Sequence, residues 1–478
     1  MKKVSAFLLA LALLLSITAC TSKPPAQPVA GEPGSTAAAT QPAFEPKAQA
    51  FADGTTVSIV QSDAEKAEEI TDSEIERMVH EAVEGSGGLE GVVSNGQTVV
   101  LKPNLVQIRV DSTQELLSQT VNGVTTDWRV TNAVANMVRE VNPDGKIYVM
   151  ECSATGRTKD NMEYLHYTVA SMPAVDAFFA FEEDSGDWQD FNSPKVVKVT
   201  LENGLLHKEY YFNKLFYDAD VIISVPCLKT SSGVVVTAAL KNVSLGAPPG
   251  NIYGISAERP GSRMNMVSHK IVDGELDKWI YDYYMCKPIN FVVVDGLQGF
   301  QSGPVPMSGE RKETDKMNMG LIIAGRDAVA VDTACALITG WDPESIGYLN
   351  HFRTNGVGRA TIPEILVAGE NVADIRKNFT IKVPALGGKP VEPKTPPALE
   401  VTECSAANGV LSIAAAYGED AVKAEVYIDG KFYALRAGKD KMERMEIDAA
   451  EIEGRRMVRV VAYDRFLNYA AKEMEVEF

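Results

Sequence analysis

A short, mostly apolar stretch at Val221–Val225 constrains the fold of this chain more than any other sequence feature. It is rich in β-branched residues and follows an acidic pair, Asp218 and Asp220. Runs of this kind are typical of strands in parallel sheets, which are covered on both faces. Pro226 predicts the end of the strand, because proline has no N–H group to donate to a neighbouring strand.

Strand and helix patterns alternate through residues 51–383, which we interpret as one α/β domain. Thr71–Gly85 is predicted to be a helix, because Thr71 can cap it and Glu74 completes a capping-box pattern. Asp127–Val141 reads as an amphipathic helix. We therefore expect a mixed or parallel sheet with flanking helices. The predicted strands are Thr56–Gln61, Thr98–Lys102, Lys146–Cys152, Val196–Leu201, Val221–Val225, Ile289–Asp295, Gly320–Ala324 and Ile365–Gly369, with one more helix at Ala328–Thr339.

The carboxyl-terminal part has a different pattern. Residues 384–399 are rich in Pro, Lys and Gly and are predicted to be a linker. Residues 400–478 contain short predicted strands, among them Met442–Ile447, and Asp429-Gly430 is a hairpin signal. Roughly six or seven such strands predict a C-terminal all-β sandwich domain. Val458–Ala470 resembles the last strands of bacterial immunoglobulin-like or fibronectin-like modules.

Residues 1–20 have the pattern of a lipoprotein signal peptide. Two lysines precede the apolar run Ala6–Ile17, which is shorter than the ~20 residues that span a bilayer. Ile17-Thr18-Ala19-Cys20 looks like a bacterial lipobox, so Cys20 is the predicted lipidation site. Residues 21–50 have few bulky apolar side chains and are predicted to be a flexible tether. We expect a protein that is lipid-anchored on the extracytoplasmic face of a bacterial cell membrane; the alternative is an ordinary secretory signal with an incidental cysteine.

Charge and cysteine spacing exclude several classes of partner and cofactor. The formal net charge of −18 argues against a nucleic-acid partner, which requires a basic face. It also argues against electrostatic attraction to anionic lipid. Apart from Cys20, the cysteines are far apart and form no Cys-x-x-Cys motif, so we expect neither an iron–sulfur cluster nor a zinc site.

Polar residues follow several predicted strands, where ligands bind in open α/β sheets. We expect the ligand to be a small anion, carboxylated or phosphorylated, held by cationic and amide-bearing side chains near a Gly/Pro-rich loop at Gly246–Gly250. A second, glycine-rich loop is predicted at Gly296–Gly303. The alternative for Thr126 or Asp127 is a helix cap, and this is the favoured role for either residue taken singly. The predicted ligand-binding residues are Lys102, Asn104, Thr126, Asn242 and Gly303.

Three residues are predicted to be catalytic: Lys229, Lys241 and Asp332. A lysine that is desolvated in a pocket can lose enough basicity to act as a base at neutral pH. Asp332 lies within an apolar helix, and a buried carboxylate needs a partner, for which one of these lysines is suitable. The alternative is that both lysines are solvated surface charges.

Glu151 and Asp295 are the predicted metal ligands, because hard oxygen ligands suit Mg²⁺. Their spacing is not diagnostic of a metal site. The chain has no Gly-x-Ser-x-Gly, P-loop or His-Glu-x-x-His motif, so hydrolases of those kinds are not supported.

An ordered set of motifs resembles the bacterial and archaeal "domain of unknown function 362" (DUF362) family. The resemblance covers roughly residues 57–380. Relatives typically carry a histidine after the Lys-Thr pair, where this chain has Ser231. Some relatives carry a ferredoxin-like cysteine cluster, which this chain lacks, and the resemblance implies a domain without implying a reaction. The motifs are LKPNL at 101–105, TTD at 125–127, PCLKT at 226–230, ALKN at 239–242, Asp295, Gly303-Pro304 and GRDAVAVD at 325–332.

Three functional hypotheses remain open at this point. The first is a lipid-anchored protein that binds or converts a small anionic ligand at the strand ends. The second is a non-catalytic cell-surface binding or adhesion lipoprotein that uses its β-sandwich module. The third is a redox protein that uses its scattered thiols.

Overall fold

The computed structural model describes residues 55–109, 115–254, 274–304, 315–381, 387–392 and 395–478. The predicted signal peptide with Cys20, the predicted tether and part of the predicted linker lie outside these ranges. Within them, every helix is too short or too polar to cross a membrane.

The α/β part alternates strands and helices along the chain. Its strands are β1 (Thr55–Gln61), β2 (Thr98–Pro103), β3 (Lys146–Glu151), β4 (Ala177–Ala180), β5 (Val196–Thr200), β6 (Glu209–Asn213), β7 (Val221–Val225), β8 (Cys227–Ser231), β9 (Val235–Thr237), β10 (Phe291–Phe300), β11 (Lys316–Gly325) and β12 (Ile365–Gly369). The helices described there are α1 (Asp72–Gly85), α2 (Trp128–Val141), α3 (Thr158–Tyr164), α4 (Lys214–Asp218), α5 (Ala239–Gly246), α6 (Gly250–Tyr253), α7 (Glu275–Cys286), α8 (Ala328–Ile338), α9 (Gly347–Asn355) and α10 (Val372–Ile375).

Ten of these strands form one mixed sheet. Its main order is β12-β1-β11-β10-β7-β2-β3-β4, and β8 and β9 extend it beside β10. β11 is antiparallel to its neighbours β1 and β10, whereas the other neighbours along this order are parallel. β5 and β6 form a separate antiparallel pair. The predicted mixed sheet with flanking helices is confirmed.

Successive residues of β7 face two different hydrophobic cores. Val221 and Ile223 pack in a cluster that includes Val134 of α2. Ile222 packs in a second cluster that includes Leu240 of α5. Because helices cover both faces, the strand has no polar side and is apolar along most of its length.

The helix caps follow the sequence signals. Thr71 precedes α1 and its side chain accepts a hydrogen bond from the Glu74 backbone N–H. Asp127 precedes α2 and its side chain accepts from the Arg129 N–H. Both residues use non-helical backbone angles, which is how a short polar side chain reaches the free N–H groups of the first turn.

The prediction of a loop at Gly296–Gly303 is wrong. Strand β10 runs through most of this segment and pairs with both β11 and β8. A Cβ atom at Gly296 would lie 3.0 Å from the Leu321 Cβ, and one at Gly299 would lie 2.6 Å from the Phe379 ring. These glycines therefore allow close packing within a strand, which sequence alone does not distinguish from a loop.

The carboxyl-terminal part forms two antiparallel sheets, ordered β13-β14-β17 and β16-β15-β18-β19. Leu411 and Met445 of the first sheet share a hydrophobic core with Val426 and Val458 of the second. This arrangement agrees with the predicted β-sandwich. The elements are β13 (Leu399–Ala407), β14 (Val410–Tyr417), β15 (Ala421–Ile428), β16 (Lys431–Ala437), α11 (Lys439–Glu443), β17 (Arg444–Asp448), β18 (Arg455–Asp464) and β19 (Tyr469–Glu477).

Two local predictions in this part have opposite outcomes. The hairpin at Asp429-Gly430 is confirmed: it joins β15 to β16, and its residues have φ values of 49° and 79°, as a type I′ turn requires. The strand predicted at Met442–Ile447 is wrong at its start, because residues up to Glu443 belong to α11. Met442 is buried from that short helix rather than from a strand.

The carboxyl-terminal sheets contact the α/β part directly. Lys423 Nζ of β15 donates a hydrogen bond to the Ile365 carbonyl of β12 at 2.6 Å. Arg465 forms an ion pair with Asp342 at 2.9 Å. Tyr463 belongs to the same buried cluster as the α/β core. The two parts therefore share both polar and apolar contacts.

Candidate functional site

The carboxyl ends of β7, β2 and β3 lie side by side because these strands are parallel neighbours. Pro103 at the end of β2 pairs with Val225 at the end of β7. Leu101 of β2 pairs with Val149 of β3. The side chains just beyond these pairs are therefore brought together at one edge of the sheet, where ligands bind in open α/β folds.

Lys102 and Glu151 form a buried ion pair at this edge. Lys102 Nζ lies 2.7 Å from Glu151 Oε1, and both side chains are almost fully buried. Glu151 also accepts hydrogen bonds from the backbone N–H groups of Leu105 and Cys152, each at 2.7 Å. Glu151, which was predicted to be a metal ligand, thus binds a lysine and two backbone N–H groups instead. These contacts hold the ends of β2 and β3 together.

Two asparagines link this ion pair to a second lysine. Asn242 Oδ1 accepts from Lys102 Nζ at 3.4 Å and from Asn104 Nδ2 at 3.2 Å. Asn104 Oδ1 accepts from Lys229 Nζ at 3.0 Å. The predicted residues Lys102, Asn104, Asn242 and Lys229 therefore form one continuous hydrogen-bonded chain that starts at Glu151.

Lys229 lies on β8, which continues the direction of β7 after Pro226. Its Nζ also donates to the Val124 carbonyl at 2.5 Å. Burial lowers the pKa of Lys229, and the neighbouring Cys227 thiol and the Glu151 carboxylate oppose that shift. Lys229 is therefore held by neutral oxygen atoms in a dry environment.

Lys241 lies on α5 and points at the β8–β9 hairpin. Its Nζ donates to Ser231 Oγ at 2.9 Å and to Thr237 Oγ1 at 3.2 Å. Thr237 stands directly opposite Lys229 in the hairpin register. Burial and then the charge of Lys229 lower the pKa of Lys241 to about 7. Within the described residues, neither of these two lysines has an ion-pair partner.

Asp332 does not pair with a lysine, so that prediction is wrong. Its carboxylate accepts from the backbone N–H groups of Ala239 at 2.7 Å and Leu240 at 3.3 Å. The Tyr348 hydroxyl donates to it at 3.1 Å. Asp332 thus caps the amino end of α5, the helix that carries Lys241 and Asn242. Burial raises the pKa of Asp332 to about 7.

Two other predicted residues have structural contacts. The Thr126 hydroxyl donates to the Val225 carbonyl at 2.7 Å and accepts from the Asn104 N–H at 2.9 Å, so it joins two strand ends. Asp295 accepts from the N–H groups of Asp127 at 2.7 Å and Leu297 at 3.1 Å. Burial and then the charge of Asp127 raise the pKa of Asp295 to about 7.

Gly303 follows the end of β10 beside β8. The preceding residue, Ser302, donates its N–H to the Thr380 carbonyl, which also accepts from the Thr230 hydroxyl of β8. Gly303 therefore lies next to the hairpin that carries Lys229, although the hydrogen bonds described for that lysine go to Asn104 and Val124.

The described ranges contain no group of three or more His, Cys, Asp or Glu side chains that could hold a metal ion. Glu151 and Asp295 each make the hydrogen bonds given above instead. The five cysteines that the structure describes are free, and four of them are buried.

Sequence reasoning missed three residues of this site. Ser231 and Thr237 accept the hydrogen bonds of Lys241, and Gly246 packs against the Lys102–Glu151 pair. Ser231 was visible only as the position where relatives carry histidine. Gly246 was predicted only as the start of a Gly/Pro-rich loop, whereas it is the last residue of α5. Thr237 has no sequence signal, because its role depends on how α5 returns to the sheet.

The chain is similar to one curated protein and to several solved structures. It is 26% identical over 268 residues to the thylakoid-associated protein sll1697 of Synechocystis sp., covering 55% of this chain and 70% of that protein. The lactate racemase apoprotein of Thermoanaerobacterium thermosaccharolyticum has a TM-score of 0.30 at 14% identity, covering 46% of this chain and 48% of that one.

Fibronectin(III)-like modules of Clostridium thermocellum CbhA have a TM-score of 0.17 at 17% identity, covering 22% of this chain and 57% of that one. This chain therefore spans about half the length of each of these two solved structures. At such TM-scores, neither likeness supports an inference about structure or function.

The family model for the domain of unknown function DUF362 matches residues 99–337. These residues are half of the 478-residue chain, and they include the Lys102–Glu151 pair, both asparagines, Lys229 and Lys241. The chain belongs to the DUF362 family.

Proposed function

We propose that the α/β part binds, and either holds or converts, a small carboxylated or phosphorylated anion at the carboxyl ends of β2, β3 and β7. One observation carries this proposal: Lys229 and Lys241 are buried near each other without an acidic partner among the described residues. Burying an unpaired charge is costly, and a bound anion offsets that cost.

The local charge balance also favours an anion-binding site. Glu151 neutralises Lys102, and the hydrogen bonds given above for Lys229 and Lys241 go to carbonyl, amide and hydroxyl oxygens, with the Cys227 thiol also beside Lys229. An anion that reaches these two lysines would complete the charge balance of the site. Lys241 is 7% exposed and Lys229 is 1% exposed, so we place the point of entry at Lys241.

The experiment is a thermal-shift screen of carboxylates and phosphates with the full chain. A ligand at about 100 times its Kd adds about 2.7 kcal/mol to the free energy of unfolding. We expect Lys229→Met and Lys241→Met to lose this stabilisation. Stabilisation that survives in both variants would show that the site is misplaced, and a screen without any stabilising anion would count against the proposal.

Lys287→Met is the matched control. Lys287 is partly buried, and its Nζ donates to the Ala219 carbonyl at 2.6 Å, before the amino end of β7. Burial lowers its pKa as well. Because it lies at the opposite end of the strand, its removal should leave ligand-dependent stabilisation unchanged.

We further propose that Cys20 is lipidated and anchors the protein on the extracytoplasmic face of a bacterial membrane. The supporting evidence is the sequence Ile17-Thr18-Ala19-Cys20 after a short apolar run. A stable anchor takes more than one acyl chain. Mass spectrometry of the membrane fraction should find acyl chains on the wild type and none on Cys20→Ser; an acylated Cys20→Ser protein would refute the assignment.

We propose that the carboxyl-terminal sheets are an immunoglobulin-like or fibronectin-like module that serves as a fixed part of the protein. The shared core of its two sheets and the Lys423–Ile365 hydrogen bond support this. Because the module is held against the α/β part, we favour a stabilising role for it. The alternative is an adhesive module that is presented freely. Limited proteolysis near residues 387–398 that released a soluble, folded module would contradict it.

A further inference from the structure

Lys241 is the lysine of this site that a ligand can approach. Its residue retains 7% exposure, whereas Lys229 retains 1% and Lys102 retains none. Lys102 is also held by Glu151, whereas the two partners of Lys241 are the hydroxyls of Ser231 and Thr237. A reactant that enters the site therefore reaches Lys241 first.

Among the residues that the structure describes, the two hydroxyl partners leave one position free on the nitrogen of Lys241. A neutral amine donates two N–H bonds and keeps a lone pair, and the hydroxyls of Ser231 and Thr237 accept both N–H bonds. The lone pair then points away from the hairpin. This geometry fits a nucleophilic amine, whereas a permanent ammonium would leave its third N–H without an acceptor.

Lys229 favours the neutral form of its neighbour. Lys229 and Ser231 are two residues apart on β8, so their side chains share one face of the strand. Thr237, which stands opposite Lys229, completes that face. Lys241 therefore shares its surroundings with a second cation in a dry site, which is an arrangement that activates lysine nucleophiles. The pKa of about 7 for Lys241 agrees with this arrangement.

We propose that Lys241 forms an imine with the carbonyl carbon of a small 2-oxo carboxylate, whose carboxylate group is bound by Lys229. This inference rests on the proposed function, because the 2-oxo acid is the anionic ligand of that site. It goes further by naming the substrate class and the atom that reacts.

The step balances without a further reactant. The Nζ lone pair of Lys241 attacks the carbonyl carbon, and the C=O π electrons move to the oxygen. A proton passes from nitrogen to that oxygen, with the Ser231 or Thr237 hydroxyl next to both. The second proton of the nitrogen then passes to this hydroxyl group as the C–O bond breaks, so water leaves and a C=N bond forms. One amine and one oxo group thus give one imine and one water molecule.

The test is reductive trapping of the full chain. We would incubate the protein with pyruvate, 2-oxobutyrate or 2-oxoglutarate, add sodium borohydride, and measure the intact mass and the modified peptide. We expect a single adduct on Lys241 with at least one oxo acid and no adduct with L-lactate, which has the carboxylate but no carbonyl. An adduct on any other lysine, or none with these oxo acids, would overturn the proposal.

Two variants separate the roles of the lysines. Lys241→Arg keeps a long side chain with N–H donors but is permanently protonated and is not a nucleophile, so it should give no adduct. Lys229→Met should lower the trapping yield roughly tenfold at subsaturating pyruvate, because a charge-assisted contact to the carboxylate is lost. Circular dichroism checks that both variants fold. If either variant does not fold, the position of the adduct on the wild-type chain decides the outcome. Equal yields in Lys229→Met and wild type would refute the assigned role of Lys229.

Thermal-shift measurements distinguish failure of the imine proposal from failure of the anion-site proposal. If pyruvate or L-lactate stabilises the protein but borohydride traps nothing, the imine is refuted and the anion site stands. If no oxo acid is trapped and no carboxylate or phosphate stabilises the protein, the anion site is refuted as well. The trapping rate should also rise through about pH 7, as the amine of Lys241 loses its proton.

Discussion

Gly246 lies against Lys102 so closely that a Cβ atom at Gly246 would stand 2.4 Å from Lys102 Nζ. The same atom would stand 2.8 Å from Glu151 Oε1. Gly246 is the last residue of α5, the helix that also carries Lys241 and Asn242. The carboxyl end of this helix can therefore rest on the buried ion pair only because position 246 has no side chain.

The first prediction concerns this contact. Gly246→Ala should lower the free energy of unfolding by about 1–3 kcal/mol, the usual effect of overpacking a core. Lys102 cannot move aside easily, because it is fully buried and bonded to Glu151. Urea denaturation measures the loss. In a double-mutant cycle with Lys102→Ala, the alanine at position 246 should become better tolerated; additive effects would show that Lys102 is not the obstacle.

The second prediction compares a buried ion pair with an exposed one. Lys102→Met should destabilise the protein by about 3–5 kcal/mol, because it leaves the Glu151 carboxylate buried without its cation. Lys198 and Glu209 form an ion pair at 2.9 Å whose side chains are about half exposed. Lys198→Met should therefore change stability by less than about 1 kcal/mol. Similar losses in the two variants, measured by chemical unfolding, would contradict the assignment.

The third prediction is a pH dependence that arises from Lys241. Its pKa is about 7 in the folded state and near the ordinary value of 10.5 when unfolded, so the unfolded chain binds more protons between these values. Stability from this group therefore rises with pH above 7, by up to about 1.4 kcal/mol per unit. Unfolding free energies at pH 7, 8 and 9 should show a smaller rise in Lys241→Met, whereas Lys198→Met should retain the wild-type rise.

The fourth prediction concerns Asp332 and has the opposite sign. Burial raises its pKa to about 7, so the folded protein holds a proton that the unfolded chain releases near pH 4. The stability from this group is present at low pH and is lost as the pH rises through 7. Asp332→Asn cannot titrate, so its stability should fall less between pH 5 and pH 7 than that of the wild type. Part of the pH dependence should remain in Asp332→Asn, because burial also raises the pKa of Asp295. Identical pH dependence of stability in Asp332→Asn and the wild type would refute the assignment.

The fifth prediction tests whether the carboxyl-terminal sheets stabilise the α/β part. Lys423 is fully buried, and its Nζ contacts Glu425 as well as the Ile365 carbonyl. Lys423→Met should destabilise the protein by about 3–5 kcal/mol, because Glu425 is left without its cation. All four tryptophans precede residue 342, so their fluorescence reports unfolding of the α/β part alone. Its midpoint should shift in Lys423→Met and should not shift in Arg456→Met, whose ion pair with Asp429 is exposed.

Local sequence signals predicted the elements whose structure depends on neighbours in the chain. Val221–Val225 is a strand with the predicted bounds, and Thr71 and Asp127 cap the predicted helices. The Asp429-Gly430 turn has the expected positive φ values. These features depend on periodicity, on capping and on the backbone freedom of single residues, which are all written in short stretches of sequence.

Long-range packing decided the features that sequence reasoning missed. Gly299 lies in a strand because the Phe379 ring packs against it from 80 positions away in the chain. Asp332 caps α5 across the fold rather than pairing with a lysine. Neither contact has a local signature, so the sequence could not separate a glycine in a loop from a glycine beneath an aromatic ring.

By itself, the sequence determined that this chain forms an α/β sheet, mixed or parallel, and that polar residues follow its strands. It also pointed to the lysines and asparagines that the structure joins by hydrogen bonds. Only the tertiary structure decided which of them meet: Lys102 is neutralised by Glu151, whereas Lys229 and Lys241 are left with neutral partners. The reason is that composition fixes how many charges a chain carries, but the energy of a charge depends on burial and on its partner, and folding sets both.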